Sequence, residues 1–181
     1  MAEFFDKIED KHQRFIEEQP MFFIATACAD GRVNLSPKGM DTFKVLSPNR
    51  FVYLDLTGSG NETAAHIKKD GRVTVMFNSY TRNPLILRLY GQGHVIRPGH
   101  LEFDELSSNF IERSGTRQFI SVDVESVQTS CGYAVPLMEI SGERDTLEKW
   151  ATTKGKDGLK EYKKIKNSQS IDGFDTGLND E

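Results

Sequence analysis

The sequence predicts a mainly β protein, a β-barrel with peripheral helices. Short apolar segments rich in β-formers recur at close spacing through residues 21–129, with turn residues between them. Only small helical insertions separate these segments, whereas alternating βαβ units would place a long helix after most strands. The two observations together favour a barrel of about six strands.

Composition limits the classes of protein that fit. A chain of 181 residues with 37% hydrophobic and 28% charged residues is typical of a globular protein with its own core. We expect a cytoplasmic protein without a membrane segment, because no secretory signal and no apolar run of about 20 residues is present. The net charge of −4 argues against general nucleic-acid binding, and the lack of a CxxC or histidine cluster argues against a metal.

The apolar periodicity places each element along the chain. Apolar residues within 3–18 recur at helical spacing, which predicts an amphipathic helix that ends before Pro20. Two β-hairpins are predicted to follow. Beyond Cys131 the chain becomes irregular, so we expect a barrel domain over 1–130 and a C-terminal extension over 131–181 that packs on the barrel or on a partner subunit. The predicted strands are 21–28, 32–36, 42–46, 51–56, 72–77, 85–96 and 117–129; the predicted helices are 62–69, 101–113 and two short ones within 145–166, interrupted at Gly155 and Gly158.

The first candidate site is the segment NLSPKG, residues 34–39. Proline cannot donate to a strand ladder, so we expect pairing to stop at Pro37 and to free Ser36 and Lys38 to face a ligand. A lysine is a compact charge suited to a phosphate or to an electron-rich ring edge. The alternative is an ordinary solvated lysine in a turn.

The second candidate is DLTGSGNETAAH, residues 55–66, in which a strand end is followed by a glycine-rich loop and a helix start. Gly58 and Gly60 permit positive φ and close backbone approach, and the helix N-terminus offers unpaired N–H groups to an anion. The alternative is a helix cap made by Ser59 or Asn61 and supported by Glu62.

The order of these segments resembles the flavin-binding half of the pyridoxamine 5'-phosphate oxidase superfamily. The resemblance covers about residues 20–130 and is carried by RVNLSPKG, FVYLDLTGSGNETAAHI, GRVTVMF and LRLYGQGHVI. It implies a six-stranded antiparallel split barrel that forms a homodimer and binds FMN in clefts between the subunits. The segments CGYAVP (131–136) and GERDTL (142–147) resemble an uncharacterised branch of the superfamily. The implied FMN contacts are Ser36 and Lys38 near the isoalloxazine or ribityl chain, and Thr57, Ser59, Asn61 and Thr63 near the phosphate.

The chain departs from the oxidase at two places. Gly60, Asn61 and Thr63 stand where the oxidase has an Arg-Lys pair, and Ser141 stands where an aromatic residue falls in its C-terminal part. The departures argue against vitamin B6 oxidation. The resemblance still implies an FMN-dependent oxidoreductase acting on another small substrate, with no catalytic residue assigned. Three alternatives stay open: a flavin carrier or sensor, a haem-binding split barrel, and an interaction module without a cofactor.

Overall fold

The computed structural model describes residues 2–178 and is mainly β with peripheral helices, as predicted. The strands and helices of that part follow each other in the order β1 (Glu3–Phe5), α1 (Asp10–Glu17), β2 (Phe22–Thr26), β3 (Asn34–Lys38), β4 (Phe43–Ser47), β5 (Arg50–Leu56), α2 (Glu62–Lys69), β6 (Arg72–Asn78), β7 (Ile86–Ile96), α3 (Phe103–Ser107), β8 (Thr116–Ser130) and α4 (Thr146–Lys166).

The strands form one antiparallel sheet that curls on itself. Its order is β3-β2-β6-β7-β8-β5-β4, with β1 added on β8. Strands β2 and β4 lie five places apart in this order, yet the rings of Phe22 and Phe43 are 5.1 Å apart between centroids, and Phe43 is 4.9 Å from Phe77 of β6. Contacts between such distant strands require a barrel. Within residues 2–178, no ladder joins the two end strands, β3 and β4.

The prediction of a helix over 3–18 was wrong in its first part. Glu3–Phe5 forms strand β1, which pairs with Val127–Thr129 of β8, and the helix begins only at Asp10. Strand β5 covers one edge of β8 only up to Asp123, so the rest of that edge offers unpaired backbone groups. Strand β1 pairs with these backbone groups, an arrangement that the local sequence pattern does not reveal.

Three other predictions need correction in detail. The described residues contain eight strands where a barrel of about six was expected, because all seven predicted segments form strands and β1 adds an eighth. The helix predicted over 101–113 is reduced to α3, Phe103–Ser107. The two helices predicted within 145–166 are the two parts of α4 and meet at a kink at Gly155, where φ is +66°, as expected; the second interruption expected at Gly158 does not occur.

The main core fills the interior of the barrel. Strand β5 is buried on both faces, because Phe51 and Tyr53 point into the barrel while Val52 and Leu54 pack against α3 outside it. In the described part of the chain, no helix is long and apolar enough to cross a membrane. The largest interior side chains are Phe22, Ile24, Phe51, Tyr53, Phe77, Leu87, Leu89 and Ile120.

The aromatic cluster that closes the barrel gives a first test. We expect Phe77→Ala to lower the free energy of unfolding by about 3–5 kcal/mol, because Phe77 is 2% exposed and its removal leaves a cavity between two edges of the sheet. The matched control is Phe4→Ala, since Phe4 is 67% exposed and should change stability by about 0.5 kcal/mol or less. Urea titrations of both variants measure this, and equal losses would contradict the closure described here.

Candidate functional site

A cavity of about 640 Å³ opens at one end of the barrel. Four parts of the chain form its wall: strand β3, the end of β5 with the loop and the start of α2, Arg117 of β8, and the end of α4 with the segment that follows it. Five of the six residues predicted to bind a cofactor line it, and only Thr57 does not. The lining includes Asn34, Ser36, Lys38, Asp55, Gly58, Ser59, Gly60, Asn61, Glu62, Thr63, Arg117, Lys166, Gln169, Ser170 and Ile171.

Strand β3 places Ser36 and Lys38 on the cavity side. The expectation that pairing stops at Pro37 was wrong, because Pro37 and Lys38 still pair with Phe23 and Phe22 of β2. Proline is tolerated because β3 is an edge strand, on which its missing N–H is not needed by another strand. Alternation along the strand then directs Ser36 and Lys38 to one face.

Lys38 is part of a buried charge cluster. Its Nζ lies 2.9 Å from Oδ1 of Asp55, whose side chain is 2% exposed. On the other side of the carboxylate, Nη2 of Arg117 is 2.7 Å and the amide nitrogen of Gln118 is 2.9 Å from Oδ2. One carboxylate therefore joins three strands, β3, β5 and β8, and the lysine is not a free solvated side chain.

The charges around Asp55 control its ionisation. Burial alone raises the pKa of this carboxyl, but the adjacent Arg117 and Lys38 cations, with their hydrogen bonds, outweigh burial and hold the pKa well below its usual range. Asp55 is therefore ionised at any physiological pH. The cluster keeps one net positive charge beneath the cavity.

The loop after β5 brings polar groups to the cavity floor. Asn61 precedes α2 but makes no side-chain cap bond to the helix. Its amide instead donates to the carbonyl of Asn167 at 3.2 Å and accepts from Gln118 at 2.8 Å. Thr63 accepts from the amide of Asn34 at 3.1 Å. Asn61 therefore does not cap α2 through its side chain. These hydrogen bonds hold the side chains of Asn61 and Thr63 in fixed positions.

Ser59 and Thr57 differ sharply in access. Ser59 is exposed at the cavity mouth, and within residues 2–178 its hydroxyl has no hydrogen-bond partner. Thr57 is buried, and its backbone N–H donates to the carbonyl of Gly115 at 2.7 Å. A phosphate role for Thr57 stays a prediction that its placement away from the cavity does not support.

Two features of the loop were not apparent from the sequence. Neither Gly58 nor Gly60 has a positive φ, so left-handed geometry does not explain these glycines. A cation does lie at the loop, but it comes from β8: Nη1 of Arg117 donates to the carbonyl of Gly60 at 2.8 Å. A charged residue at the start of an apolar strand was the available signal for Arg117.

Comparisons with known proteins identify the family and the fold of the chain. Residues 8–131 match the family model described as pyridoxamine 5'-phosphate oxidase. The chain belongs to that family. A pyridoxamine 5'-phosphate oxidase family protein, ustO, from Aspergillus flavus is 35% identical over 196 aligned residues, which cover 96% of this chain and 77% of the fungal protein.

Solved structures support the fold. HupZ of Group A Streptococcus has a TM-score of 0.54 at 20% identity, with 66% of this chain and 91% of HupZ covered. A Clostridium acetobutylicum protein related to general stress protein 26, of the pyridoxinephosphate oxidase family, has a TM-score of 0.52 at 11% identity, with 76% of this chain and 94% of that protein covered. The fold of this family member is therefore the split barrel that the resemblance implied.

The charge cluster gives a second test. We expect Asp55→Asn to lower the free energy of unfolding at neutral pH by about 3 kcal/mol, because it leaves Arg117, which is almost fully buried, without its counter-charge. Since folding depresses the Asp55 pKa, its contribution is complete above the unfolded value of about 3.9 and declines as the pH falls below it. The difference between the parent and the variant should therefore narrow in acid.

The matched control is Asp41→Asn. Asp41 forms an exposed ion pair with Lys44 and should contribute about 1 kcal/mol or less. Urea titrations at pH 7, 5 and 3 measure both variants. A loss for Asp55→Asn no larger than that for Asp41→Asn would refute the structural role of the cluster.

Proposed function

We propose that the protein binds FMN in the cavity beside Lys38 and acts as a flavin-dependent oxidoreductase on a small substrate. The observation that carries the proposal is the convergence of two separate predicted segments on one cavity. The end of β3 and the loop with the start of α2 meet there, although nothing in their local patterns requires contact. Membership of the pyridoxamine 5'-phosphate oxidase family adds support.

The residues around the cavity suit a flavin nucleotide. The volume of about 640 Å³ lies in the ordinary range for cofactor sites. At one end, the hydroxyl of Ser59 and the first N–H groups of α2, which have no partner within the helix, suit a phosphate. At the other end, Lys38 uses one of its three donors on Asp55 and can offer the others to a polar ring edge.

The chain's own part in the reaction is binding and orientation. Bound FMN would supply hydride chemistry, which the protein need not perform with a side-chain acid or base. Ser36 donates to Oδ1 of Asn34 at 3.0 Å, so its hydroxyl oxygen remains an acceptor toward the ligand. The ion pair to Asp55 holds Lys38 in place, and a lysine already held in position loses less conformational entropy when the ligand binds.

The visible spectrum and an FMN titration test the proposal. We expect the purified protein to show oxidised flavin bands or to bind added FMN, and NADH or NADPH to bleach them, with recovery in air. Ser59→Ala should weaken FMN binding about tenfold, because a hydrogen bond to a charged phosphate is lost. The matched control, Ser108→Ala, removes an exposed hydroxyl directly after α3 that lies outside the cavity lining.

Four results would count against the proposal. A Soret band without flavin would favour a haem-binding split barrel, and an absence of binding would favour an interaction module. Flavin binding without reduction and reoxidation by any tested donor and acceptor would support a carrier or sensor instead of an enzyme. Equal FMN affinities of Ser59→Ala and Ser108→Ala would show that the loop containing Ser59 does not bind the phosphate.

We also propose that the protein is a homodimer. The segment after β8 exposes large apolar side chains, including Tyr133, Leu137, Met138 and Ile140, which a second subunit could cover. Light scattering should therefore give twice the chain mass of 20.5 kDa. A monomer at micromolar concentration that still binds FMN would contradict the dimer while leaving the flavin proposal intact.

A further inference from the structure

The last residue of α4 and the segment that follows it form the outer wall of the site. Lys166, Gln169, Ser170 and Ile171 all line the cavity, together with residues of β3. This segment lies outside residues 8–131, which match the family model, and none of its residues was among the predicted contacts. The wall is therefore a feature of this chain that the barrel does not provide.

Asn167 anchors the wall to the loop beneath the cavity. It is fully buried, and its side chain donates to the carbonyl of Gly58 at 3.1 Å and accepts from Nη1 of Arg117 at 2.8 Å. Its carbonyl accepts from Asn61 at 3.2 Å and from the hydroxyl of Thr176 at 2.7 Å. The loop and the wall consequently share one buried polar network and should respond together to a ligand.

Further contacts hold the rest of the segment on the barrel. Asp172 pairs with Arg32 and accepts its backbone N–H at 2.7 Å, so the segment reaches the β2–β3 turn. Glu62 at the start of α2 accepts the N–H of Ile171 at 3.1 Å. Contacts further along the segment complete the attachment: Asp175 pairs with Lys68 at 2.6 Å, and Arg97 donates to the carbonyls of Thr176 and Gly177 at 2.6 and 2.8 Å.

Lys166 is the cation of the cavity lining that makes the net charge of the lining positive. Lys38 and Arg117 both bind Asp55, and Glu62 is a second carboxylate at the cavity. Without Lys166 the lining has two cations and two carboxylates, so it would be neutral toward an anion. Lys166 is exposed, and it forms no ion pair with any residue in the range 2–178.

We propose that residues 166–171 are part of the ligand site, with Lys166 binding the phosphate of the flavin nucleotide and Asn167 anchoring the wall that presents it. This inference rests on the proposed flavin function. The loop lacks a cation of its own at its tip, and a side chain at the end of α4 supplies one from across the cavity. The ligand then touches both halves of the chain, and its binding orders the wall against the loop.

The test compares Lys166→Ala with Lys164→Ala in the full-length protein. Both changes remove an exposed lysine from the last turn of α4, but Lys164 does not line the cavity. We expect Lys166→Ala to weaken FMN binding about three- to tenfold, since the ion pair is partly exposed to water and screened by salt. Riboflavin, which has no phosphate, should bind both variants within about twofold of the parent by the same reasoning, and Lys166→Arg should retain most FMN affinity.

Hydrogen exchange provides a readout that does not depend on activity. FMN should slow exchange of the backbone amides of 166–171, and thermal melts without ligand should coincide for the two alanine variants. Equal FMN affinity for both variants, in a parent that binds FMN, would overturn this inference and leave the proposed function standing. Equal losses of FMN and riboflavin, or unchanged exchange in 166–171, would also overturn it. A parent that binds no FMN would overturn both.

Discussion

The carboxylate of Asp55 ties strand β3 to β5 and β8, and within residues 2–178 no backbone ladder joins β3 to either of them. Strand β3 lies at one end of the strand order and β5 near the other, and the 2.9 Å ion pair between Lys38 and Asp55 spans the gap between them. Arg117 of β8 neutralises the second carboxylate oxygen. Because a buried charge is stable only when it is paired, this cluster fixes where β3 lies and therefore where the cavity opens.

The site follows from that constraint. Once β3 is held against β5, its alternate side chains face the loop that begins at the end of β5, and a cleft forms between the strand and the start of α2. The C-terminal segment closes the cleft through Asn167, which shares Arg117 with Asp55. In this member of the pyridoxamine 5'-phosphate oxidase family, the same polar network thus stabilises the barrel, shapes the proposed phosphate loop and positions the outer wall.

Local pattern predicted the strands well because alternation and turn residues are short-range signals. It also predicted Ser36, Lys38 and Ser59 as candidate site residues, since strand ends and loops before helices can be recognised in the sequence. The partners of these residues were not visible. Asp55 and Arg117 are 62 residues apart, and Asn61 and Asn167 are 106 apart, so only the folded chain shows that they meet. Strand β1 was missed for the same reason, because its partner lies at the far end of β8.

A crystal structure of the protein in complex with FMN would test the central claim, that FMN binds in this cavity, most directly. It would locate both the ligand and residues 166–171, the outer wall. The account predicts the phosphate between Ser59, the first turn of α2 and Lys166, the ring system along Ser36 and Lys38, and Asn167 still bonded to Arg117. FMN bound elsewhere, or bound only after residues 167–178 have left the barrel, would contradict the account.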